Sequence, residues 1–452
     1  MNFEYKSLVL IEEALRRLDK GFSNLPASDI DYDVEALSNV ISEVADRLQD
    51  NFPYFHPYYA GQMLKPPHPI ARLAYMLSLW INPNNHALDG GRASSAMEKE
   101  AVAEIASMFG WTTFMGHLCG GGTMANLEAL WVSRQLKPGA RILASEQAHY
   151  THQRISGVLG MEFEAVPCDS RARMDIGALR HILEKGGVGT VVATIGTTGT
   201  GSVDPLQEIL KLKEKYGFRL HADAAYGGYF TLVDNLSAIT KETYDCLSEV
   251  DSIVIDPHKH GLQPYGCGCV MFNDPRVGAL YKHDSPYTYF SSSELHLGEI
   301  SLECSRPGAS AVALWATQRL LPLVHSGEFS ESLSKSREAA LSFYGKLLND
   351  PRFKTVFEPE LDIVIWAVAA KNTSEISDLS LRIFDVAALH NLHLATFNYP
   401  SACLKGIWND VDFDRDSVTC LRSCLMKPEH EDWLDRIWAI LDEVTNEVTR
   451  NY

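Results

Sequence analysis

Residues 252–261 read SIVIDPHKHG, an apolar run followed at once by a lysine between two histidines. The run Ser252–Ile255 has the length and β-branched content of a buried strand. Lys259 then stands between Pro257 and the glycine-containing apolar run Tyr265–Phe272, a setting that favours a desolvated amine. Desolvation near other cations makes a lysine amine nucleophilic. The stretch therefore predicts a strand that leads into a reactive lysine, with a lysine placed there by chance as the alternative.

Short apolar runs of the same kind recur along the chain, separated by amphipathic segments. They predict strands at Arg141–Ser145, Phe163–Pro167, Thr190–Ile195, Arg219–Ala222, Ser252–Ile255 and Cys269–Phe272. Between most of them, helical spacing of apolar residues predicts helices at Met124–Gln135, Ile176–Lys185 and Leu206–Tyr216. Strands that alternate with helices pair in parallel and form an α/β sheet, which binds ligands at the carboxyl ends of its strands.

The regions on either side of this pattern differ from it. Helices are predicted at Leu8–Leu18 and Val34–Leu48, before an irregular, proline-rich and aromatic loop over 51–69. Later in the chain, helices at Ala311–Leu321 and Asp432–Val448 flank a strand at Asp362–Val368. Because 452 residues predict two or three domains, we expect an N-terminal helical arm (1–70), a large α/β domain (71–310) and a smaller α+β domain (311–452).

The charge of the chain restricts its partners. It has 40 basic and 58 acidic residues, a formal net charge of −18, which disfavours nucleic acids and anionic membranes. No run of about 18 apolar residues predicts a membrane span, and the first residues lack the pattern of a signal peptide. The nine cysteines are scattered, without the spacing of a zinc site. These features predict a reduced, cytoplasmic protein without a metal site.

Two clusters upstream of Lys259 have the residue types that bind an anion and a ring. The glycines of GGGTMAN at 120–126 let backbone N–H groups approach an anion at the start of a helix. A glycine-rich turn without a ligand is the alternative. His149, in SEQAHY at 145–150, follows a predicted strand and can stack on an aromatic ligand or act as acid or base. A purely structural histidine is the alternative there.

A third cluster, HADAAYGG at 221–228, places Asp223 at the end of an apolar strand. A carboxylate there can pair with a protonated ring nitrogen and stays ionised when so paired. A helix cap is the alternative. Together with Lys259, the chain offers an anion cradle, a stacking histidine, a ring-nitrogen partner and a reactive amine. Pyridoxal 5′-phosphate (PLP) needs these partners for its phosphate, ring face, ring nitrogen and aldehyde, so the clusters predict this cofactor.

The chain also resembles the group II PLP-dependent decarboxylases, the family of glutamate, aromatic-amino-acid, histidine and diaminobutyrate decarboxylases. The resemblance spans about residues 50 to 440 and includes SEQAHY at 145–150, VATIGTTGTGSVDPL at 192–206, HADAAYGG at 221–228 and DPHK at 256–259. It implies the PLP-dependent transferase fold type I, with a mainly parallel seven-stranded sheet in the large domain. It further implies a homodimer with active sites at the interface and decarboxylation of an L-amino acid.

The resemblance assigns a role to each cofactor residue. Lys259 would carry PLP as a Schiff base, Asp223 would pair with the ring nitrogen, and His149 would stack on the ring. The remaining cofactor residues implied are His258 before the lysine, Ala225 beneath the ring, Gly122 and Thr123 at the phosphate, and Thr197 in the Gly-Thr-Thr turn.

The resemblance also suggests substrate residues. Arg422, in LRS at 421–423, would hold the substrate α-carboxylate, with a surface ion pair as its alternative. His56, Tyr58, Tyr59 and Gln62 would border the substrate pocket. Tyr289, with Tyr287 in reserve, is expected to return a proton to the substrate carbon.

The substrate itself stays open at this point. Arg92 stands where better-known members have a small residue before proline, which leaves acidic, aromatic and short diamino substrates all possible. An aldehyde-lyase, an aminotransferase and a catalytically silent PLP-binding homologue are the alternative functions.

Overall fold

The computed structural model describes residues 6–26, 31–282 and 296–450. Seven strands form the larger sheet: β1 (Met115–Cys119), β2 (Arg141–Ser145), β3 (Phe163–Val166), β4 (Val188–Thr194), β5 (Arg219–Asp223), β6 (Ser252–Ile255) and β7 (Gly268–Phe272). Their order is β1-β7-β6-β5-β4-β2-β3, and only β7 runs antiparallel to its neighbours β1 and β6. The prediction of a mainly parallel seven-stranded sheet is confirmed.

A second, wholly antiparallel sheet lies in the C-terminal part. Its strands are β8 (Phe353–Thr355), β9 (Ile363–Val368), β10 (Ala395–Pro400) and β11 (Ser417–Cys424), in the order β10-β11-β9-β8. Of these, only β9 was predicted from the sequence. The combination of this sheet with helices gives the smaller α+β part that was expected.

Fifteen α-helices occur in the described ranges. They are α1 (Lys6–Gly21), α2 (Val34–Leu48), α3 (Pro69–Ser78), α4 (Leu88–Met108), α5 (Gly122–Leu136), α6 (Thr151–Leu159), α7 (Ile176–Glu184), α8 (Leu206–Tyr216), α9 (Ala238–Asp245), α10 (Gly278–Tyr281), α11 (Gly308–Leu320), α12 (Glu328–Leu348), α13 (Thr373–Leu389), α14 (Ser401–Leu404) and α15 (His430–Arg450). Among them, α2 and α8 have the bounds that apolar spacing predicts. Helix α11 crosses the expected boundary at residues 310/311, and the three-domain division stays a prediction.

The core of the large sheet explains why the chain follows this path. Strands β6 and β7 are buried along their whole length, so both faces of the sheet centre are covered. Continuous apolar runs of this kind are typical of strands buried on both faces. Polar side chains collect where these strands end, which places the ligand-binding edge at the carboxyl ends of β4, β5 and β6. No described helix is both long and apolar enough to span a membrane.

Candidate active site

A cavity of about 640 Å³ lies at this edge of the sheet. The four clusters found in the sequence meet there, although they are separated by up to a third of the chain. Residues that line it include Gly122, Thr123, His149, Asp223, Ala225, His258 and Lys259. The cavity thus brings together every cofactor residue that the sequence analysis named, with the exception of Thr197.

Lys259 reaches the cavity because it follows directly after the buried strand β6. Its Nζ lies 3.2 Å from Oδ2 of Asp256, the first residue of the DPHK motif. Asp256 is buried, and its Oδ1 has no hydrogen-bond partner in the described part of the chain. The ring of His258 is fixed by a contact of 2.7 Å between its Nδ1 and the carbonyl oxygen of Cys267. The lysine amine is therefore presented by a rigid, buried support.

The glycine cluster lines the cavity beside Asp256, where helix α5 begins. Gly121 has a φ of +138°, a backbone conformation that side chains rarely adopt. A Cβ on Gly122 would lie 2.7 Å from Oδ2 of Asp256, so only glycine leaves space there. Thr123 Oγ1 accepts a hydrogen bond from the hydroxyl of Thr151 at 3.3 Å. Free N–H groups at the start of a fifteen-residue helix suit a phosphate group.

His149 stands on the loop before α6 and lines the cavity. Its Nδ1 accepts a hydrogen bond from the Thr151 N–H at 3.2 Å, so the neutral ring carries its proton on Nε2. Burial lowers the pKa of His149 below its ordinary value, which keeps the ring neutral near pH 7. A neutral imidazole with its proton on Nε2 can cover an aromatic ring and donate a hydrogen bond.

Asp223 ends β5 and is aimed into the same cavity. Its Oδ2 lies 2.8 Å from Nε2 of His152, and its Oδ1 accepts the N–H of Ala225 at 3.2 Å. Burial alone would raise the pKa of Asp223, but the hydrogen bond and charge of His152, with Lys259 and His221, hold it well below its usual range. The carboxylate therefore stays ionised and can stabilise a positive charge in front of it.

Two residues of this site were missed by the sequence analysis. His152 lies three positions after His149, and that spacing was the one available signal. Thr198, in the Gly-Thr-Thr turn, lines the cavity. The hydroxyl of Thr197 instead bonds to Thr200 Oγ1 at 2.8 Å and accepts the Ser202 N–H at 3.1 Å. Thr197 thus stabilises the turn that places Thr198 in the cavity lining.

Arg422, on β11, joins the small sheet to this turn. Its Nε donates to the carbonyl oxygen of Gly199 at 3.1 Å, and its Nη1 donates to Gln62 Oε1 at 3.2 Å. The residue is only 4% exposed, and its Nη2 is buried with no partner among the described residues. The surface ion pair considered as an alternative for Arg422 is not present in the described ranges.

The other candidate substrate residues in the described ranges are not among those that line the cavity. Tyr59 is buried, and its hydroxyl accepts the Gln62 N–H at 3.4 Å. The rings of His56 and Tyr58 pack edge-on against Trp433, with centroids 4.9 and 5.2 Å away, rather than lining the cavity. Arg92 is exposed on α4. Tyr287 and Tyr289 lie outside the described residues, and all these substrate roles stay predictions.

The residues present fit PLP. The glycine cradle has space for the phosphate, His149 can cover the ring, Asp223 is ionised for the ring nitrogen, and the Lys259 amine lies in the same cavity. Together these residues match the phosphate, the ring face, the ring nitrogen and the aldehyde of the cofactor.

Comparisons with known proteins agree with this fit. The pyridoxal-dependent decarboxylase conserved domain matches residues 22–369. An L-tyrosine decarboxylase of Enterococcus faecium is 28% identical over 459 aligned positions, which cover 76% of this chain and 75% of that protein. A probable L-tyrosine/L-aspartate decarboxylase of Methanothermobacter thermautotrophicus is 28% identical over 324 positions, covering 70% of this chain and 85% of that protein.

Solved structures show the same fold at lower identity. The structure of Oryza sativa TDC with PLP and tryptamine has a TM-score of 0.79 at 16% identity and covers 99% of both chains. Mouse CSAD in its apo form has a TM-score of 0.77 at 17% identity, covering 95% of this chain and 92% of that one. The chain therefore belongs to the pyridoxal-dependent decarboxylase family and is a PLP-dependent amino-acid decarboxylase of fold type I.

Proposed function

We propose that this enzyme decarboxylates an aromatic L-amino acid of the tyrosine type and that Arg422 holds the substrate α-carboxylate. The proposal rests on Arg422. Its guanidinium is buried beside the turn that lines the cofactor cavity, and its Nη2 has no hydrogen-bond partner among the described residues. Buried charges are normally paired, and an unpaired one is costly. A substrate carboxylate supplies the missing partner, and its two oxygens match the fork of a guanidinium.

Aromatic side chains gather beside this arginine and support a ring-bearing substrate. Tyr59, which contacts Gln62, packs edge-on against Tyr54 with centroids 5.0 Å apart. Phe52 and His393 extend the group, with centroids 5.1 Å apart. Tyr265, 58% exposed, lines the cavity itself. Such rings offer large apolar contacts with a few polar groups for orientation. Several similar proteins are named L-tyrosine decarboxylases, which agrees with this choice.

The roles of the remaining residues follow from their geometry. When bound, PLP supplies an electron sink for the bond that loses CO₂. Lys259 Nζ is the amine that would hold the cofactor covalently, and Asp223 would keep a proton on the ring nitrogen of the cofactor. Arg422 would orient the carboxylate that leaves, while the Nε2–H of His149 would donate a hydrogen bond within the cavity. Tyr289 stays our candidate for returning a proton to the substrate carbon.

An acidic substrate is the second candidate. Arg154, an exposed cation on α6, lines the same cavity and could pair with a distal carboxylate. Similar proteins are also named as aspartate decarboxylases. The identity of the amino acid whose CO₂ is released separates the two candidates.

The experiment measures CO₂ and amine from PLP-loaded protein with L-tyrosine, L-tryptophan, L-phenylalanine, L-aspartate and L-glutamate. The proposal predicts that an aromatic substrate is preferred. It further predicts that Arg422→Met raises KM by about 100-fold, because a charge-assisted contact is worth ~1.5–3 kcal/mol. Arg180→Met, at an exposed position of α7, is the matched control. Preference for aspartate, or an unchanged KM in Arg422→Met, contradicts the proposal.

We also propose that the protein is a homodimer. None of the described side chains of α2 is buried, yet the helix carries an apolar stripe. Exposed residues of this stripe include Val34, Leu37, Val40, Ile41, Val44 and Leu48. An apolar stripe of this length is normally covered, and a second copy of the chain would cover it.

Light scattering should give twice the chain mass, and the double substitution Val40→Asp with Ile41→Asp should give a monomer. A monomeric wild type contradicts the proposal.

The proposed compartment is the cytoplasm. The nine cysteines are all unpaired, as expected where thiols stay reduced. Fractionation of cells that produce the protein tests this, and recovery with secreted or membrane fractions contradicts it.

A further inference from the structure

A second cavity, of about 210 Å³, lies apart from the cofactor cavity and is lined by basic groups. Lys65, from the loop before α3, and Lys427, from the loop after β11, both line it. His260, one residue beyond the cofactor lysine, and His68 line it as well. Four basic side chains from three segments of the chain thus converge on one small space.

The two lysines have only neutral partners. Lys427 is 3% exposed, and its Nζ donates to the carbonyl oxygen of Tyr59 at 2.7 Å. Lys65 Nζ donates to the carbonyl oxygen of Met426 at 3.2 Å. Each ammonium group has three donors, so donors remain unused at both residues. In the described ranges no carboxylate lies within ion-pair distance of either amine.

The acidic groups around the cavity are used elsewhere or exposed. Asp362 is buried, but its Oδ1 accepts the Tyr226 hydroxyl at 2.6 Å and its Oδ2 lies 3.2 Å from His260 Nε2. Glu328 and Glu429 line the rim, where both are exposed to solvent. The Nδ1 of His260 is buried and has no hydrogen-bond partner in the part of the chain described. The lining thus holds two lysines and two glutamates; the unused donors belong to the lysines, while both glutamates lie at the exposed rim.

We propose that this cavity binds one compact oxyanion between Lys65 and Lys427, separately from the phosphate of the cofactor. A bound anion would pair the two buried ammonium groups, which are otherwise costly to keep charged. Burial lowers the pKa of Lys427 to about 7 and that of Lys65 to about 8, although Glu429 acts to raise both values, and an anion bound between the two amines would raise them further.

The same contacts show what such an anion would do. Lys427, after β11, donates a hydrogen bond to Tyr59 in the loop before α3, and Lys65, in that loop, donates one to Met426 after β11. Each lysine therefore links its own segment to the other. An anion between them would tie the two segments together. These segments carry Gln62 and Arg422, which contact each other at 3.2 Å. The oxyanion is thus expected to stabilise the folded enzyme at the corner where the small sheet meets the cofactor turn.

The test uses the PLP-loaded enzyme, in which the cofactor occupies the glycine cradle, with inorganic phosphate as the probe. Thermal unfolding and titration calorimetry are recorded with phosphate, with sulfate and with chloride at one ionic strength. Phosphate and sulfate should raise the unfolding temperature above the value in chloride and should bind at one site per chain. Equal unfolding temperatures in all three salts would overturn the proposal.

Substitutions distinguish phosphate binding in this cavity from non-specific ionic screening of the protein surface. Lys427→Met should weaken phosphate binding by about ten-fold or more, because a charge-assisted contact is lost. Should that variant fail to fold, Lys65→Met, at a less buried position, is expected to give the same weakening. Lys211→Met, on the exposed face of α8, should bind phosphate as the wild type does. Phosphate binding that is unchanged in Lys65→Met would place the anion elsewhere and overturn the proposal.

Discussion

His152 Nε2 lies 2.8 Å from Asp223 Oδ2, and both side chains are buried. The pair joins the first turn of α6 to the end of β5, two segments that are 71 positions apart in sequence. His149, on the loop just before this turn, lines the cavity itself. Two histidines three positions apart therefore supply a residue that lines the cavity and a residue that orients the Asp223 carboxylate.

The first prediction concerns this pair. His152→Gln should weaken PLP binding and lower kcat by about ten-fold each, because a hydrogen bond to a charged group is worth ~1.5–3 kcal/mol. Cofactor affinity, measured by quenching of protein fluorescence in the apoenzyme, is the readout that does not depend on turnover. His181→Gln, on the exposed side of α7, is the control. A purely space-filling role for His152 would leave affinity and rate equal in the two variants.

Asp223→Asn should reduce kcat by more than about 100-fold, the loss typical when a preorganised electrostatic partner is removed. The amide has nearly the same shape but cannot balance a positive charge on the ring nitrogen. Steady-state CO₂ release with saturating PLP measures the effect. A rate within a few-fold of wild type would show that the electron sink does not depend on this carboxylate.

The lowered pKa of Asp223 also predicts a dependence of stability on pH. Its folded-state pKa is depressed, so the stability that it contributes is fully present above the unfolded value of about 4. That contribution is lost as the pH falls from there through the folded-state pKa. The difference in unfolding free energy between wild-type and Asp223→Asn apoenzyme should therefore shrink on acidification below about pH 4. A difference that grows toward low pH would contradict this electrostatic assignment.

The glycine cradle gives a steric prediction. Gly122→Ala brings a methyl group to 2.7 Å from Asp256 Oδ2, so that the cradle assigned to the phosphate must shift. Overpacking of ~1–3 kcal/mol should lower PLP affinity by about ten-fold. Gly345→Ala, on α12, meets no atom within 4 Å and serves as the control. Equal PLP affinity in both variants would mean that the phosphate binds elsewhere.

The residues that the sequence could predict are those whose signal is local. Lys259, Asp223 and His149 each follow a strand whose apolar run marks its end, so their common location follows from the parallel sheet. Strand β1 was missed because Gly116 and His117 interrupt its apolar run. His117 is nevertheless buried, since its Nε2 contacts Glu128 at 3.0 Å.

The residues that the sequence could not place depend on contacts between distant segments. The contact between Arg422 and Gln62 joins residues 360 positions apart, and no periodicity along the chain reports it. The packing of His56 against Trp433 is of the same kind. Within the Gly-Thr-Thr turn, whether Thr197 or Thr198 lines the cavity depends on backbone geometry that spacing alone does not determine.

Whether Lys259 is the amine that carries the cofactor is decided by CO₂ release from L-tyrosine by PLP-loaded wild-type enzyme and by Lys259→Ala. We expect equal amounts of CO₂ and amine from the wild type and a loss of more than about 1000-fold in the variant, because the nucleophilic amine is removed. Borohydride treatment of the wild type should fix the cofactor on Lys259. Release of CO₂ at a near wild-type rate by Lys259→Ala, or fixation on another residue, would show that Lys259 does not have this role.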